Sequence, residues 1–488
     1  MIMPTYDSSN ALDTKDHAAF KSFDLSSDGL RTKDGIVLVP QPSQDPEDPL
    51  NWARGRKLRN LTILCMAGFA GTALDLANQL AMKDQAKNWN KELIDITYTI
   101  SASIAGIAYG PLLINPVAQA LGRTAIIFWC LVFAMACAIW SACMTSRGDY
   151  DRFVASRLFD GIFGSIPSIV GVGAVYDMFF LHERGKAYAI FHVSFLFGTV
   201  FWWIVIAQGV VLILAFLFLE ETSYSRDGKT LSAVKPTNFW ANRMATLLPH
   251  KTGISRAELG RIARLPFRIG LSPVGLLIGI FQLASFGWFV ATHSLLTVWL
   301  EKPVSVGGWG FSPQRNALCM SSSSSRLHQR PTPKVIFSLW VGLLTAELWG
   351  YLCNDRIALW ICRTREKGVW KPECRLHALW IPSLIVLPIG LGIVGSALQY
   401  HLHNMVLALG AYLITFASMS SVHVAVTYMI ECVASQPTEV GAFMGAYRLT
   451  LGLVVPFLIN HLRERTLAKF APSEIGAKVI YISDEDGP

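Results

Sequence analysis

The sequence has few charged residues: Lys, Arg, Asp and Glu together make up 16% of its 488 positions. A soluble domain carries about a quarter of its residues as charges. Hydrophobic residues instead reach 52%, and they are grouped in repeated runs near the length that crosses a bilayer. The shortage of charge excludes a soluble globular chain and predicts an all-α membrane protein with many transmembrane helices.

Motifs of catalytic and metal-binding proteins are also missing. The nine cysteines are scattered without CxxC spacing, and no phosphate-binding loop is present, which argues against an ATP-driven pump. We therefore expect no enzyme activity, no cofactor and no metal. The net charge of +8 does not indicate a nucleic-acid partner, because the basic residues lie in short segments between apolar runs, where they set topology.

The N-terminal region has no apolar segment of the kind that a cleavable signal peptide requires. Residues 1–52 predict a disordered cytosolic tail, so the first span acts as its own insertion signal. The basic residues Arg54, Arg56, Lys57 and Arg59 precede that span. By the positive-inside rule they indicate that the chain leaves the cytosol there.

Apolar runs predict two helix bundles on either side of a basic central segment. We expect an N-terminal bundle over 53–222, a cytosolic central loop over 223–271, a C-terminal bundle over 272–460 and a polar tail over 461–488. The run 187–219 is too long for one span and too short for two with a turn, yet both flanks look cytosolic. It predicts two shortened spans or a re-entrant pair, and a total of ten or eleven spans. The predicted spans are 58–80, 97–120, 124–143, 153–176, 274–300, 335–353, 377–399, 404–430 and 441–459, besides the run 187–219.

A charge within the run 153–176 is the strongest functional signal. Arg157 is followed at helical spacing by Asp160 and then by small residues, among them Gly161, Gly164 and Gly171. A stripe of this kind has to face other helices or water, because a charge exposed at bilayer depth is costly. The glycines predict close helix packing. Arg157 is either a functional charge or half of an internal ion pair with Asp160.

Several segments resemble the major facilitator superfamily, and within it the fungal drug:proton antiporter-type branch. SRLFDGIFGS is similar to the fourth-span R-x-x-x-G motif, and GPLLINPVAQALGRTAII is similar to the loop between the second and third spans. Other family-like segments are EDPLNWARGRKL, YDMFFLHERGKAYAI, EETSYSRDG, GFSPQRNAL, GYLCNDRIALW, GVWKPECRLHALW and YMIECVASQPTEVGAFMGAYRL. The resemblance implies two pseudo-symmetric transmembrane bundles with a solute site between them near the midplane.

The resemblance also implies roles for individual residues. The arginine matching Arg157 is thought to influence protonation of a nearby carboxylate in related antiporters. Gating loops are expected at two places in the chain. Topogenic turns explain the same residues equally well. The expected gating residues are Gly110, Asn115, Gly122, Arg123, Asp177, Glu183, Arg184, Asp355 and Arg356.

Other polar residues within predicted spans are candidates for proton coupling or for the substrate cavity. Asp75 and Glu347 could exchange a proton or meet a cationic substrate, or else lie inert near an interface. For His423, a hydrogen-bonded core histidine is the favoured interpretation. Gln282 and Trp288 are candidates for cavity lining, although aromatic residues in spans more often serve packing.

Together these features predict a transporter that moves a small drug-like or cationic organic solute, coupled to protons, by alternating access. We expect a monomer in a fungal plasma membrane, with solute, protons and the bilayer as its partners. Three departures from the family pattern keep a second interpretation open, a non-transporting scaffold or an inactive truncated relative. They are the loss of the fifth-span glycine-proline element, the insert 320–334 and the absence of a twelfth span.

Overall fold

The computed structural model describes residues 43, 45, 48–77, 82–91, 93–180, 183, 184, 187, 191, 201–222, 238–248, 256–301, 335–365, 371–400, 402–433 and 436–470. Within this part of the chain the secondary structure is helical and contains no strand. The helices are α1 (Arg54–Ala77), α2 (Met82–Trp89), α3 (Leu93–Leu121), α4 (Arg123–Cys143), α5 (Tyr150–Gly164), α6 (Ile166–Met178), α7 (Phe201–Phe218), α8 (Phe239–Leu247), α9 (Arg256–Gly270), α10 (Pro273–Glu301), α11 (Val335–Trp349), α12 (Asp355–Thr364), α13 (Leu387–Gln399), α14 (Asn404–Cys432) and α15 (Pro437–Phe470).

Six segments of the described chain are long and apolar enough to cross a membrane. They are Asp95–Leu121, Arg123–Cys143, Tyr150–Met178, Pro273–Thr292, Pro372–Gln399 and Asn404–Cys432. Helices α1, α7, α11 and α15 lie on the other predicted spans. These observations confirm the prediction of an all-α membrane protein.

The helices form two bundles that follow each other along the chain. Helices α1 and α3–α7 pack among themselves, and so do α10, α11 and α13–α15. The bundles meet where α15 packs against α3 and α6. At this junction the Tyr98 ring stacks on Phe457 with a centroid separation of 4.8 Å. Further along α3, the hydroxyls of Tyr109 and Thr450 lie 3.1 Å apart. The two halves therefore touch over more than two helical turns of α3.

The predicted span 153–176 is divided into two helices. Helix α5 ends at Gly164, and α6 begins at Ile166 with Pro167 in its first turn. Proline is tolerated there because its missing N–H has no partner at a helix start. The Ser165 N–H still bonds the Gly161 carbonyl at 3.3 Å, so the chain continues in nearly the same direction.

Glycines allow α5 to approach its neighbours at backbone contact. A Cβ on Gly164 would lie 2.1 Å from the Gly71 carbonyl oxygen of α1, and one on Gly161 would lie 2.3 Å from the Ser103 carbonyl oxygen of α3. A Cβ on Gly171 of α6 would lie 2.5 Å from the Phe191 ring. Side chains larger than hydrogen do not fit at these positions without a shift of the neighbouring atoms.

Two segments differ from the predicted layout. The region predicted as a central loop contains helices α8 and α9. Helix α15 also continues to Phe470, ten residues beyond the predicted end of the C-terminal bundle at 460. The central segment is polar overall, and its helices have only one apolar face. Hydrophobicity alone therefore does not distinguish such a helix from a loop.

We expect that replacing Gly164 with alanine will destabilise the protein, because the new methyl group overlaps the α1 backbone. Overpacking of this kind costs about 1–3 kcal/mol. The measurement is the midpoint of thermal unfolding in detergent. Gly209→Ala on α7 is the matched control, since a Cβ there meets no atom within 4 Å. Equal midpoints for the two variants would contradict the packing role.

Candidate functional site

A histidine and a glutamate form a buried pair inside the C-terminal bundle. His423 of α14 and Glu347 of α11 approach with Nε2 and Oε1 3.0 Å apart, and their side chains are 8% and 6% exposed. The second oxygen of Glu347, Oε2, accepts no hydrogen bond from the described residues. Imidazole and carboxylate groups exchange protons readily near neutral pH. Taking up or losing one proton changes the charge of this largely buried pair.

The backbone beside the pair is irregular. Helix α11 ends at Trp349 and passes into a π-helical turn over Gly350–Asn354. A Cβ on Gly350 would lie 3.2 Å from the His423 ring, so the turn packs directly on the imidazole. Single π turns are common at functional sites, where they shift the helical register by one residue. The π-helical turn therefore begins about one helical turn after Glu347, at the point where the chain packs on the His423 imidazole.

A polar seam runs along the same helix, α14. Gln282 of α10 donates from Nε2 to the Ser421 carbonyl at 3.2 Å, while its Oε1 accepts no hydrogen bond from the described residues. The Ser421 hydroxyl lies 2.9 Å from that of Ser383, and Ser418 donates to the Ser285 carbonyl at 2.8 Å. Gln282, a predicted cavity residue, thus contacts α14 at Ser421, two residues before His423.

Trp288 lies on a different face of α10 from Gln282. It is 50% exposed. The apolar residues Leu277 and Ile280, on the same side of the helix, are also exposed, at 69% and 52%. An apolar stripe that faces away from both bundles is suited to lipid. The structure therefore does not bring Trp288 together with Gln282.

The N-terminal bundle holds its own intramembrane charge pair. Arg157 and Asp160 are fully buried on α5, with guanidinium nitrogen and carboxylate oxygen 3.6 Å apart. Next to Arg157 in sequence, the Ser156 hydroxyl lies 2.8 Å from that of Ser141 on α4. The structure brings together the two charges that the sequence paired. For Asp75 the described part of the chain includes the backbone of α1 but not this side chain.

At one end of the N-terminal bundle, Arg123 and Asp177 form a salt bridge between α4 and α6. Gly122 precedes α4 with φ of 94°, in the left-handed region that favours glycine. A Cβ on Gly173 would lie 2.3 Å from the Thr438 hydroxyl and 3.3 Å from the Arg123 guanidinium carbon. The start of α15 therefore reaches this salt bridge from the opposite bundle, and Gly173 leaves the space for it.

The C-terminal bundle has a matching arrangement. Arg375 donates to Asp355 at 2.7 Å and to Glu431 at 2.6 Å, and its side chain is 4% exposed. Asp355 was predicted as a gating residue together with Arg356, but the arginine that pairs with it is Arg375, whereas Arg356 is exposed. Arg375 lies within the family-like segment GVWKPECRLHALW, which was the one signal that could have identified it.

The remaining predicted gating residues have separate positions. Arg184 donates to the carbonyls of Phe179 at 3.0 Å and Tyr176 at 3.1 Å, so it satisfies the carboxyl end of α6. Glu183 is exposed. Asn115 is buried on α3. A Cβ on Gly110 would lie 2.8 Å from the Ile162 backbone, which makes Gly110 a packing residue between α3 and α5.

Comparison with known proteins gives several distant relatives of one kind. No family model matches the chain. The chain is 25% identical over 404 residues to the MFS transporter eqxG of Fusarium heterosporum, covering 80% of this chain and 74% of the relative. It is 24% identical over 465 residues to the MFS-type transporter penM of Penicillium rubens, covering 89% and 84%. It is 25% identical over 402 residues to the efflux pump radE of Floropilus chiversii, covering 76% and 68%.

The fold has a solved counterpart as well. The structure of the MFS proton:xylose symporter XylE aligns with a TM-score of 0.52 at 14% identity, over 86% of this chain and 92% of that one. An identity this low indicates similarity of fold alone. The fungal relatives are similar in sequence as well, along most of the chain. The chain is an integral membrane protein, and the proteins it resembles in sequence and in fold are transporters of the major facilitator superfamily.

Proposed function

We propose that this chain couples proton movement to the transport of a small organic solute across a fungal plasma membrane by alternating access. The observation that carries the proposal is the buried pair of Glu347 and His423. A proton acceptor inside the membrane is what coupling requires, because its charge changes the relative free energies of the two open states. The solute class we infer is a drug-like compound or an organic cation, and a relative named as an efflux pump supports this inference.

The pair is suited to proton coupling because it joins two helices of one bundle. Glu347 lies on α11 and His423 on α14, and protonation of the Glu347 carboxylate removes the negative charge that attracts a protonated His423. A helix pair that loses an ionic contact repacks at lower cost, which would release the bundle for the rocking motion. Arg157 and Asp160 supply a second charged pair, in the N-terminal bundle. We propose that protonation of this pair likewise lowers the cost of repacking the N-terminal bundle.

The salt bridges at the bundle ends are suited to act as latches. Arg123 with Asp177 lies where α15 meets α6, so separating the bundles there moves Thr438 away from its position beside this pair. Arg375 lies in the segment that precedes α13. By pairing with Asp355 of α12 and Glu431 of α14, it joins this segment to both helices. We propose that both act as gates, with the N-terminus of the chain in the cytosol and the protein working as a monomer.

Glu347→Gln tests the coupling. Glutamine keeps the shape but cannot ionise, so we expect uptake of rhodamine 6G, an organic cation, driven by an imposed pH gradient in proteoliposomes to fall to the level of protein-free liposomes. Exchange of the dye at equal pH on both sides should persist, since it needs no net proton movement. Asp151→Asn, at the exposed start of α5, is the control and should behave as the wild type.

The outcomes separate the competing interpretations. Gradient-driven uptake by Glu347→Gln at the wild-type rate would remove this residue from the coupling. A wild-type protein that moves neither the dye nor any member of a panel of neutral and cationic drugs, while a reconstituted full-length relative does, would support the non-transporting alternative instead.

Arg375→Gln tests the latch of the C-terminal bundle. The change leaves Asp355 and Glu431 without their buried cation, and removing one partner of a buried pair costs about 3–5 kcal/mol. We expect a lower thermal unfolding midpoint and, at temperatures well below it, faster labelling of the adjacent buried Cys374 by a water-soluble maleimide. Arg356→Gln is the matched control because its side chain is exposed. Unchanged labelling of Cys374 would argue against a latch.

A further inference from the structure

The outer wall of the N-terminal bundle carries a groove between α1 and α7 that the transport proposal does not use. Its walls are apolar, and a single charged residue lies at one end. The lining residues are Arg59, Thr62, Ile63, Met66, Leu214 and Phe218. Apolar residues flank the groove along α7, where Ile206, Val210 and Ile213 are about half exposed. A groove in such a surface faces lipid rather than water or protein.

Arginines are concentrated at the charged end of this groove. Arg56 and Arg59 both form salt bridges with Glu220, which follows α7. Arg243 of α8 donates to the Leu219 carbonyl at 2.8 Å, and its buried Nε has no hydrogen-bond acceptor among the described residues. The next carboxylate, Glu221, accepts instead from the Thr124 N–H at 3.1 Å. Among the described residues, the corner thus has more positive than negative charge.

The pKa shifts of Glu220 and Arg243 agree with an excess of positive charge at this corner. Burial alone would raise the pKa of Glu220, but the hydrogen bond from Arg56 and the charges of Arg56, Arg59 and Arg243 outweigh burial and lower it. Burial lowers the pKa of Arg243, and the charge of Arg59 lowers it further against the attraction of Glu220. One ionised carboxylate is therefore shared among several guanidinium groups.

Helix α8 places this corner at the membrane surface. Its exposed residues are apolar: Phe239, Trp240, Met244 and Leu248 are each about half exposed. The helix is fixed to the bundle, because the Trp129 indole donates to the Leu247 carbonyl at 3.1 Å. An anchored helix with aromatic residues on its free side lies in the plane of the lipid headgroups. The arginines then stand at headgroup depth and the groove at acyl-chain depth.

We propose that this corner is a binding site for an acidic phospholipid, with the headgroup at Arg59 and Arg243 and an acyl chain in the groove between α1 and α7. The excess of positive charge selects an anionic headgroup, and the apolar walls select a lipid over a free anion. The bound lipid would join α1, α7 and α8, which belong to different parts of the chain.

The test measures lipid binding to the purified full chain by native mass spectrometry, with phosphatidylserine and phosphatidylcholine of identical acyl chains. We expect the wild type to prefer phosphatidylserine. Arg243→Gln should weaken phosphatidylserine binding about fivefold, the effect of about 1 kcal/mol per basic residue at a membrane surface, without changing phosphatidylcholine binding. Arg152→Gln, an exposed arginine paired with Asp149 before α5, is the control and should match the wild type.

A second variant keeps every charge in place. Thr62→Trp fills the groove from its exposed wall and should weaken binding of both lipids. Glycerophosphoserine, the headgroup without chains, should fail to displace bound phosphatidylserine. Equal binding of the two lipids by the wild type would overturn the proposal, as would an unaltered lipid preference in Arg243→Gln. Full displacement by glycerophosphoserine would show a site for a free anion instead. None of these measurements depends on transport.

Discussion

Charges inside a bilayer have to be compensated, and this requirement organises both bundles. An isolated ion in a medium of low dielectric constant costs several kcal/mol or more. Two pairs among the described residues meet that requirement: His423 with Glu347 between two helices, and Arg157 with Asp160 within one helix. The pair between α11 and α14 constrains how these two helices pack, since its partner atoms have to lie within a few ångströms of each other.

The two halves use the same device at the ends of their helices. An arginine at the start of the third span contacts a carboxylate at the end of the fourth, as Arg123 does with Asp177 and Arg375 does with Glu431. The halves differ in what else the arginine contacts. Arg123 and Thr438 of the opposite bundle both lie next to Gly173, whereas Arg375 binds a second carboxylate in its own half. The N-terminal bridge is therefore the one of these two that lies at the junction between the bundles.

Glycine positions were readable from the sequence because their meaning is local. Gly161 and Gly164 follow Arg157 at helical spacing, and both lie at backbone contacts with neighbouring helices. The pairing of Glu347 with His423 was not readable, because each residue alone had an inert interpretation and the two are far apart in sequence. Arg375 was missed for a related reason. An arginine at the edge of a span normally sets topology, and only its two carboxylate partners distinguish it.

The sequence by itself determined that this chain is a helical membrane protein, where most of its spans lie, and which family it resembles. Those properties depend on hydrophobic length, on charge at span ends and on short motifs, all of which are local in the chain. Tertiary structure decided which charges meet, which face of α10 Trp288 occupies, and that α8 is a helix held against α4 and α7. Such facts depend on distances between segments separated in sequence, and the packing of whole helices sets those distances.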